Sequence, residues 1–396
     1  MKRETTDILI SGGGVAGLTA AAAFGTAGFS VIIVDPAAPV TSPDAPGSDL
    51  RTTAFLQPAR TFLERAGLWA ALTPHATPLQ VMRIIDAAAT PHVIRDFDAA
   101  DISDLPFGWN LPNWLLRREM VARLTALPNV DFRPGTGFAR MLARTQTAIV
   151  TLSNGAQVDA KLVIGADGRA SPLRKSAGIG VKTTRYGQKA LTFAVTHDAP
   201  HRNISTEIHK QGGPFTLVPL PDHCGKPCSA VVWMDNGPAV QALADLPAPA
   251  FEAAATARAA DTYGPLRLVT GRSVWPIISQ IADTITGPRC ALVSEAAHVM
   301  PPIGAQGLNM SLQDLACLLD LAVASPGRLG SQKMLDTYAS QRHPDIRLRV
   351  AGIDALNRAS IAGSPILQDL RRKGIETLFG ISPMRHGLME LGLGAR

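Results

Sequence analysis

The sequence has 396 residues, of which 46% are hydrophobic and 18% charged, enough chain to bury one large core or two joined cores. Its formal net charge of +6 at pH 7 suits an anionic cofactor or an acidic membrane surface. Basic residues are scattered, only 5% of residues are aromatic and no nucleic-acid-binding motif occurs, so the composition argues against a nucleic-acid partner.

The start of the chain predicts a strand, a glycine loop and a helix. Residues 7–11 predict a short buried strand, and residues 12–17 fit GxGxxG ahead of an alanine-rich helix. Gly12 permits a tight turn, Gly14 lets the backbone approach a diphosphate, and Gly17 lets the helix pack closely on the strand. The segment therefore predicts a dinucleotide site rather than a merely glycine-rich turn.

The next predicted strand supplies an acid for the same site. Residues 31–34 are apolar and lead into Asp35, which lies about 20 residues after the glycine motif. At that position a carboxylate can accept a hydrogen bond from a ribose 2′-hydroxyl.

A third piece of the predicted site lies at residues 161–169. An apolar strand there ends in Gly-Ala-Asp-Gly, which places Asp167 at the carboxyl edge of a sheet. Open α/β folds bind ligands at that edge. The alternative is an Asp-Gly turn with nothing bound.

The predicted organisation is interleaved rather than tandem. An α/β cofactor-binding part is predicted from residues 1–77, 100–182 and 272–330. Residues 78–99 and 183–271 predict mostly short strands of a sheet that covers a substrate. Because the cofactor-binding pieces come from both sides of that sheet, neither part should fold well alone.

Residues 289–314 combine a strand, an acid, a Pro/Gly elbow and a helix start. Glu295 closely follows the strand at 291–293, and Pro301 to Gly304 forbid regular structure until a helix begins at Gln306. The free N–H groups at that helix end favour negative charge on a ligand of the loop.

The C-terminal part, residues 331–396, is predicted to be helical. Beyond the helix at 306–324, helices are predicted at 333–342 and 346–360, with a break at Pro344. In the tail, helices at 366–379 and 383–391 would either lie on an anionic bilayer or cap the cofactor-binding part.

In this order and at these separations, the glycine-loop segment at the chain start, residues 161–169 and residues 289–314 resemble the FAD-dependent aromatic hydroxylases of the para-hydroxybenzoate hydroxylase type. Within that superfamily the chain is most similar to the ubiquinone-biosynthesis hydroxylases, through Arg51-Thr52-Thr53-Ala54, GPFTLVPLP at 213–221 and AAHVMPPIGAQGLN at 296–309. The resemblance implies an FAD-binding Rossmann-like domain interleaved with a β-sheet substrate domain, followed by a helical C-terminus.

The resemblance also implies roles for individual residues. Arg51 would reach toward the flavin, and the cofactor would be contacted by Arg117, at the start of a helix predicted over 117–127, or by its neighbour Arg118. The remaining cofactor residues would be Gly12, Gly14 and Gly17 at the diphosphate, Asp35 at the adenosine ribose, Asp167 near the diphosphate, Glu295 at the ribityl chain, and Gly307, Leu308 and Asn309 along the isoalloxazine. Pro302 and Gly304 would face the flavin where the chemistry occurs.

The sequence departs from the family at one implied ligand. Relatives usually carry Gly-Asp before Ala-Ala-His, with the Asp bonding the ribityl chain, whereas this chain has Ser294-Glu295. Glu keeps the charge but is one methylene longer, so it reaches the ribityl chain only if the backbone recedes or a water intervenes.

The chemistry implied by the resemblance is aromatic hydroxylation with O₂, FAD and NAD(P)H. A nicotinamide docks transiently and reduces the flavin, and the reduced flavin then activates O₂ against an electron-rich ring in a pocket that excludes water. His298 is a candidate for taking the phenol proton, and its alternative is a histidine packed beneath the flavin loop with a satisfied hydrogen bond.

Three functions remain open from the sequence. The favoured one is hydroxylation of a polyprenylated phenol in ubiquinone biosynthesis. The second is hydroxylation of small soluble aromatics, and the third is a non-catalytic flavoprotein subunit of a biosynthetic complex, which the Ser294-Glu295 change keeps open. A carboxylate-bearing substrate would call for an arginine in the pocket. The only arginine between residues 190 and 234 is Arg202, in a predicted loop, so the lipid-like substrate is favoured.

Cysteine usage and hydropathy predict a cytoplasmic location, with peripheral contact on the inner face of the membrane. Four cysteines in a chain this long indicate a reducing compartment rather than a disulfide framework. Cys224 and Cys228 lie beside His223, but no second ligand pair occurs at zinc spacing, so no metal is predicted. We find neither an apolar signal core nor about 18 uninterrupted apolar residues.

Overall fold

The computed structural model describes residues 3–87, 91–210 and 212–361. The strands are β1 (Glu4–Ser11), β2 (Val31–Asp35), β3 (Thr52–Leu56), β4 (Thr77–Leu79), β5 (Val81–Asp86), β6 (Val93–Asp98), β7 (Gly108–Pro112), β8 (Val130–Pro134), β9 (Phe138–Ala143), β10 (Ala148–Leu152), β11 (Gln157–Gly165), β12 (Val181–Thr196), β13 (Ile204–His209), β14 (Pro214–His223), β15 (Lys226–Asn236), β16 (Arg267–Leu268), β17 (Ser273–Ala282), β18 (Thr286–Gly287), β19 (Cys290–Leu292) and β20 (His298–Val299). The helices are α1 (Val15–Thr26), α2 (Gln57–Arg65), α3 (Trp69–Leu72), α4 (Asn113–Thr125), α5 (Pro172–Ser176), α6 (Gly237–Asp245), α7 (Ala248–Arg258), α8 (Gln306–Ala324) and α9 (Gln332–Ile361).

The first sheet joins the segments predicted to hold the cofactor. Its strand order is β18-β19-β11-β1-β2-β8, with β10 and β9 continuing from β11. β1 pairs in parallel with both β2 and β11, and β11 pairs in parallel with β19. The carboxyl ends of these strands therefore lie along one edge, where open α/β sheets bind ligands.

The large sheet has the order β20-β17-β12-β15-β14-β13-β5-β6, and β16 pairs with β12. We call its outer face the one on which Leu191, Val231 and Leu217 pack against Val240 of α6 and Phe251 of α7. The inner face is the opposite side, which carries Thr192, Val232, Thr216 and Trp275. A small sheet, β3-β7-β4, packs at this inner side through a cluster that includes Leu56 and Val218.

The interleaving extends further along the chain than the predicted limit at residue 272. β17 pairs with β12 over most of its length, so residues 273–282 belong to the large sheet. The chain re-enters the first sheet at β18 and β19. The domain division as a whole remains a prediction.

The helices α6 and α7 interrupt a segment that we predicted to contain mostly short strands. Both begin with proline within their first two residues, a position where a missing backbone N–H costs nothing. The alanine-rich sequence then favours helix. The sequence of this stretch therefore favours helices over short strands.

The predicted helix break at Pro344 is wrong, because α9 runs through it. Ile346 and Val350 are buried on the body of the protein just beyond the proline. Arg342 and Asp345 form an ion pair of 3.0 Å that spans it. Tertiary packing thus outweighs the local cost of a proline inside a helix. The tail helices predicted at 366–379 and 383–391 lie outside the described residues.

α8 is long and apolar enough to cross a membrane by length and composition alone. Half of it is buried inside the protein, and it contacts α1, α2 and α9. Its buried residues include Asp314, which is ion-paired. The helix is therefore a core helix of this fold.

Candidate active site

The glycine loop has the predicted turn geometry. Gly12 has a φ of +112°, and a Cβ there would overlap the carbonyl of Ala166. A Cβ on Gly17 would overlap the carbonyl oxygen of Gly12. These two glycines are therefore required by the packing of the loop against α1 and against the end of β11.

Gly14 differs, because a Cβ at this position would meet no described atom within 4 Å. It is the residue before α1, with φ −73° and ψ 176°, and no side chain caps the helix. The uncapped N–H groups thus face open space at the positive end of the helix dipole. The open space is compatible with the predicted diphosphate site, which stays a prediction.

Asp35 ties the loop together. Its Oδ2 accepts a hydrogen bond of 2.6 Å from the Gly13 amide, and its Oδ1 accepts one from Ala37. Each carboxylate oxygen has a second lone pair, so a ribose hydroxyl remains a feasible additional donor. The ribose role of Asp35 stays a prediction.

Asp167 comes to the same place from the end of β11. Its backbone nitrogen lies 2.8 Å from the position that a Cβ on Gly12 would occupy. Oδ2 accepts hydrogen bonds from Ser11 and Leu173, whereas Oδ1 is buried and lacks a partner within the described part of the chain. Burial raises the pKa of Asp167. An unmatched acceptor beside the glycine loop fits a hydroxyl-bearing or protonated cofactor group.

Asp49, which the sequence analysis did not single out, joins Arg51 to Arg117. Arg51 donates two hydrogen bonds of 2.8 Å to its carboxylate, Asn113 donates one of 3.0 Å, and Arg117 lies at 3.4 Å. The prediction that Arg117 begins a helix is wrong, since α4 starts one turn earlier at Asn113. That extra turn supplies the amide that reaches Asp49. The spacing of Asp49 and Arg51, with one residue between them, was the sequence signal that could have indicated this ion pair.

Arg51 also bridges the two layers of the protein. Its guanidinium carbon lies 4.0 Å from the ring centroid of Trp275 on the inner face of the large sheet. Burial disfavours its charge, but the hydrogen bonds that it donates to Asp49 and the negative charges of Asp49 and nearby Glu295 raise its pKa. A permanently charged, stacked guanidinium is therefore fixed between the first sheet and the large sheet.

Replacing Asp49 with asparagine is expected to lower the free energy of unfolding by about 1–3 kcal/mol at pH 7. Burial alone would raise the pKa of Asp49, but Arg51, Asn113 and Arg117 hold it below its ordinary value. Its contribution is thus present above pH of about 4 and is lost as pH falls through the lower folded pKa. Urea midpoints at pH 7, 4 and 3 should show the difference between the wild type and the variant shrinking with acidity.

The matched control is Asp96→Asn, which removes a more exposed partner of Arg83. It should cost less than about 1 kcal/mol. An Asp49 variant that loses nothing, or whose loss grows in acid, would contradict the assignment.

The Ser294-Glu295 departure has a visible structural cost. Ser294 adopts a φ of +56°, a left-handed conformation that disfavours residues with a Cβ. Glu295 follows in a short 3-10 turn, where it is exposed and interacts electrostatically with Arg51. The acid therefore lies near Arg51, and its contact with the ribityl chain stays a prediction.

Replacing Ser294 with glycine is expected to stabilise the protein by about 1 kcal/mol, because the strained φ becomes free of Cβ clashes. Chemical denaturation should report the gain. Ser294→Ala serves as the control, since it removes the hydroxyl but keeps the Cβ and should give no gain. Equal effects of the two substitutions would show that the strain is not the cause.

The loop after β20 presents its surface to the outside. Pro302, Gly304 and Gly307 are exposed, and Leu308 is half-buried. α8 begins at Gln306 as predicted, and no side chain caps its N-terminus. An exposed Pro/Gly loop without bulky side chains, next to uncapped helical N–H groups, suits a flat ring that gains negative charge on reduction. The roles of these residues toward the flavin remain predictions.

Asn309 holds this loop in place. Its Oδ1 accepts a hydrogen bond of 2.8 Å from the Leu56 amide, and its Nδ2 donates to the carbonyls of Ala54 and Ala305. The side chain is buried, and its amide oxygen and nitrogen form their hydrogen bonds within the protein. A direct role for Asn309 at the cofactor is thus left to its backbone, while the side chain links α8 to β3.

His298 lies beneath the loop rather than in an open cleft. It is 2% exposed, and its Nε2 is 2.7 Å from Oδ2 of Asp314. Arg342 donates a hydrogen bond of 2.7 Å to the other oxygen of Asp314. This geometry favours the packed-histidine interpretation over proton transfer from a phenol.

Comparison with known proteins identifies the family. A family model described as an FAD binding domain matches residues 5–351. A ubiquinone hydroxylase of Rhodospirillum rubrum is 34% identical over 400 residues, covering 99% of this chain and 91% of that protein. The chain belongs to the FAD-dependent aromatic hydroxylases. The family prediction and the predicted FAD-dependent monooxygenase class are thus confirmed.

Other known proteins are similar to this hydroxylase in sequence and in fold. The 3-demethoxyubiquinol 3-hydroxylase of Escherichia coli K12 is 26% identical, with 100% of both chains covered. The crystal structure of p-nitrophenol 4-monooxygenase PnpA from Pseudomonas putida superposes with a TM-score of 0.80 at 19% identity, covering 98% of both chains. The predicted mixed α/β fold with a helical C-terminal part is therefore confirmed.

Proposed function

We propose that this hydroxylase inserts oxygen into the aromatic ring of a polyprenylated phenol in ubiquinone biosynthesis, using O₂ and NAD(P)H. Two relatives named above act on ubiquinone or its precursors by name, and one of them spans this chain at 34% identity. The observation that carries the proposal is the chemistry of the inner face of the large sheet.

The middle of the inner face is uncharged and partly open. Thr192, Val232 and Thr216 form one cross-strand row of half-buried residues. The row beside it, Ala194-Ala230-Val218, consists of small or branched apolar residues. Such a surface accepts an aromatic ring with an alkyl chain and offers no counter-ion to a substrate carboxylate.

Charged groups around that row are engaged within the protein, including Arg51, which stacks on Trp275 and donates two hydrogen bonds to Asp49. On β13, Glu207 is opposite Thr216, and its Oε1 lies 2.7 Å from Nε2 of His209. Arg258 lies on α7 at the outer face, where it donates to the backbone of Gly213. Small hydroxybenzoates, the alternative substrates, would therefore lack a free arginine fork here.

The protein contributes placement and electrostatics to the reaction. Bound FAD would supply hydride acceptance and oxygen activation, with NAD(P)H as the reductant. The N-terminus of α1 and Asp167 would hold the diphosphate region, and Arg51, fixed by Asp49 and Trp275, would hold positive charge between the cofactor and the substrate sheet. The N-terminus of α8 would stabilise negative charge on the ring, and the apolar inner face would exclude water.

A peripheral contact with the membrane would give access to a lipid-like substrate. On the outward side of α9, Leu348 is 74% exposed and Leu356 is 59% exposed, with Arg347 beside them. Apolar and basic residues on one helix face suit an anionic bilayer. We expect the full-length protein to sediment with phosphatidylglycerol vesicles at low salt.

NADPH oxidation by the purified yellow protein tests the function. A prenylated phenol should accelerate oxidation and be recovered with one added oxygen atom. Acceleration by hydroxybenzoates alone would favour the small-aromatic alternative. Protein that cannot be reconstituted with FAD would favour a non-catalytic subunit.

A further inference from the structure

A bulge in β12 turns two polar side chains toward α9. The pairing of β12 with β17 shifts register between Arg185 and Lys189, and Gly187 within the bulge has a φ of +71°. Bulges commonly re-aim side chains beside active sites. Here Tyr186 donates a hydrogen bond to Asp354, and Asn357 donates one of 3.0 Å to Oε1 of Gln188.

Tyr186 fixes the end of α9 against this bulge. Its burial and its hydrogen bond to Asp354 raise its pKa to about 12, so the hydroxyl stays a donor over the working range of pH. Arg358 holds Asp354 from the other side at 2.8 Å. Gln188 and Asn357 are thus kept at a fixed separation.

Gln188 and Asn357 each keep one unmatched polar atom. Gln188 is 5% exposed and Asn357 is 0% exposed. Nε2 of Gln188 and Oδ1 of Asn357 have no hydrogen-bond partner among residues 3–87, 91–210 and 212–361. Buried amide groups are normally bonded. One free donor beside one free acceptor is the complement of a hydroxyl group, which accepts and donates at the same oxygen.

The amide pair lies on the inner face, next to the contact that links the large sheet to the cofactor side. Gln188 is two residues before Ala190 on β12, so the two side chains point the same way, about 7 Å apart along the strand. Ala190 is opposite both Met234 and Trp275, and Arg51 stacks on Trp275.

An apolar floor adjoins the pair. Ala190, Met234 and Ile277 form a buried cluster, with Tyr186 packed against it. A benzene ring is about as wide as the spacing of two residues on a strand. The cluster is buried, so a ring whose hydroxyl bonds the amides would have to insert beside it, with the opposite edge of the ring toward Trp275 and Arg51.

We propose that Gln188 and Asn357 determine specificity by anchoring the ring hydroxyl of the aromatic substrate, with the ring beside the Ala190-Met234-Ile277 cluster. This inference rests on the proposed hydroxylase function and adds the chemical group that the site recognises. The site takes a neutral phenol, to which Gln188 donates and from which Asn357 accepts.

The test compares binding of two ligands of nearly the same shape. The full-length FAD-bound enzyme is titrated with a prenylated phenol and with the same compound lacking the hydroxyl, and the flavin absorbance is followed. The wild type should prefer the phenol by about tenfold. Gln188→Leu and Asn357→Leu should each reduce the preference, and the double variant should abolish it. The ratio of the two affinities is insensitive to damage that weakens both ligands alike.

Gln280→Leu is the matched control. Gln280 is also a buried glutamine with an unmatched Oε1, but its amide bonds to Thr183 instead of α9. This variant should keep the preference. A preference that persists in the Gln188/Asn357 double variant, or that is lost equally in Gln280→Leu, would overturn the anchor.

Failure of the proposed function gives a different result. If the wild type binds neither prenylated compound, the polyprenyl substrate is wrong, and the titration is repeated with p-cresol against toluene. A preference for p-cresol that depends on Gln188 and Asn357 would still support the anchor. Equal affinity of the wild type for both members of each pair would overturn it.

Discussion

Replacing Gly14 with valine is expected to give a folded protein that has lost its yellow colour. Nothing described lies within 4 Å of a Cβ at this position, and the extended backbone of Gly14 is favourable for a β-branched residue. The isopropyl group would occupy the space in front of the α1 amides and keep a diphosphate out. We expect FAD affinity to fall by at least about 100-fold, equivalent to about 2.7 kcal/mol. Flavin absorbance of the purified protein and equilibrium titration with FAD measure the loss.

Two other glycines separate cofactor loss from general damage. Gly271→Val also enters open space, away from the predicted cofactor site, and should leave FAD content unchanged. Gly17→Ala should reduce folded yield, because its Cβ would overlap the carbonyl of Gly12. Retention of bound FAD by Gly14→Val would show that the diphosphate lies elsewhere.

Replacing Asp314 with alanine should lower the free energy of unfolding by about 3–5 kcal/mol. The Asp314 side chain is 0% exposed and neutralises Arg342, which is only 12% exposed, while also bonding His298. Removing the carboxylate leaves a guanidinium buried without its main partner between α8 and α9. Guanidinium chloride denaturation should show the midpoint falling without a change of fold in circular dichroism.

Two further variants define the cause of that loss. Asp345→Asn removes a half-buried partner of the same arginine and should cost less than about 1 kcal/mol. A double replacement, Asp314→Leu with Arg342→Met, should recover much of the stability, since an apolar pair needs no charge compensation. Equal losses in the single and double replacements would mean that packing volume, not the buried charge, dominates.

The local structure that was predicted correctly around the candidate site is encoded within short stretches of chain. The glycine loop, the strand before it and the start of α8 depend on local steric rules, so their sequence patterns were sufficient. Asp35 ends β2 and Asp167 follows β11 for the same reason.

The residues that were missed depend on contacts across the fold. Trp275 meets Arg51 only because β17 joins the large sheet, and Asn357 meets Gln188 only because α9 continues past Pro344. Local sequence rules predict a helix break at that proline, but the packing of Ile346 and Val350 keeps the helix continuous. Asp314, the buried partner of His298, likewise became visible only in three dimensions.

The pairing of β11 between β1 and β19 has a consequence for biogenesis. β1 begins at Glu4, yet its neighbour β11 ends at Gly165 and the strand beyond that ends at Leu292. A ribosome must therefore translate most of the message before this sheet can close, and loop-closure entropy slows such distant pairings. Until then apolar strand edges stay uncovered, and such edges make an unfinished polypeptide prone to aggregation.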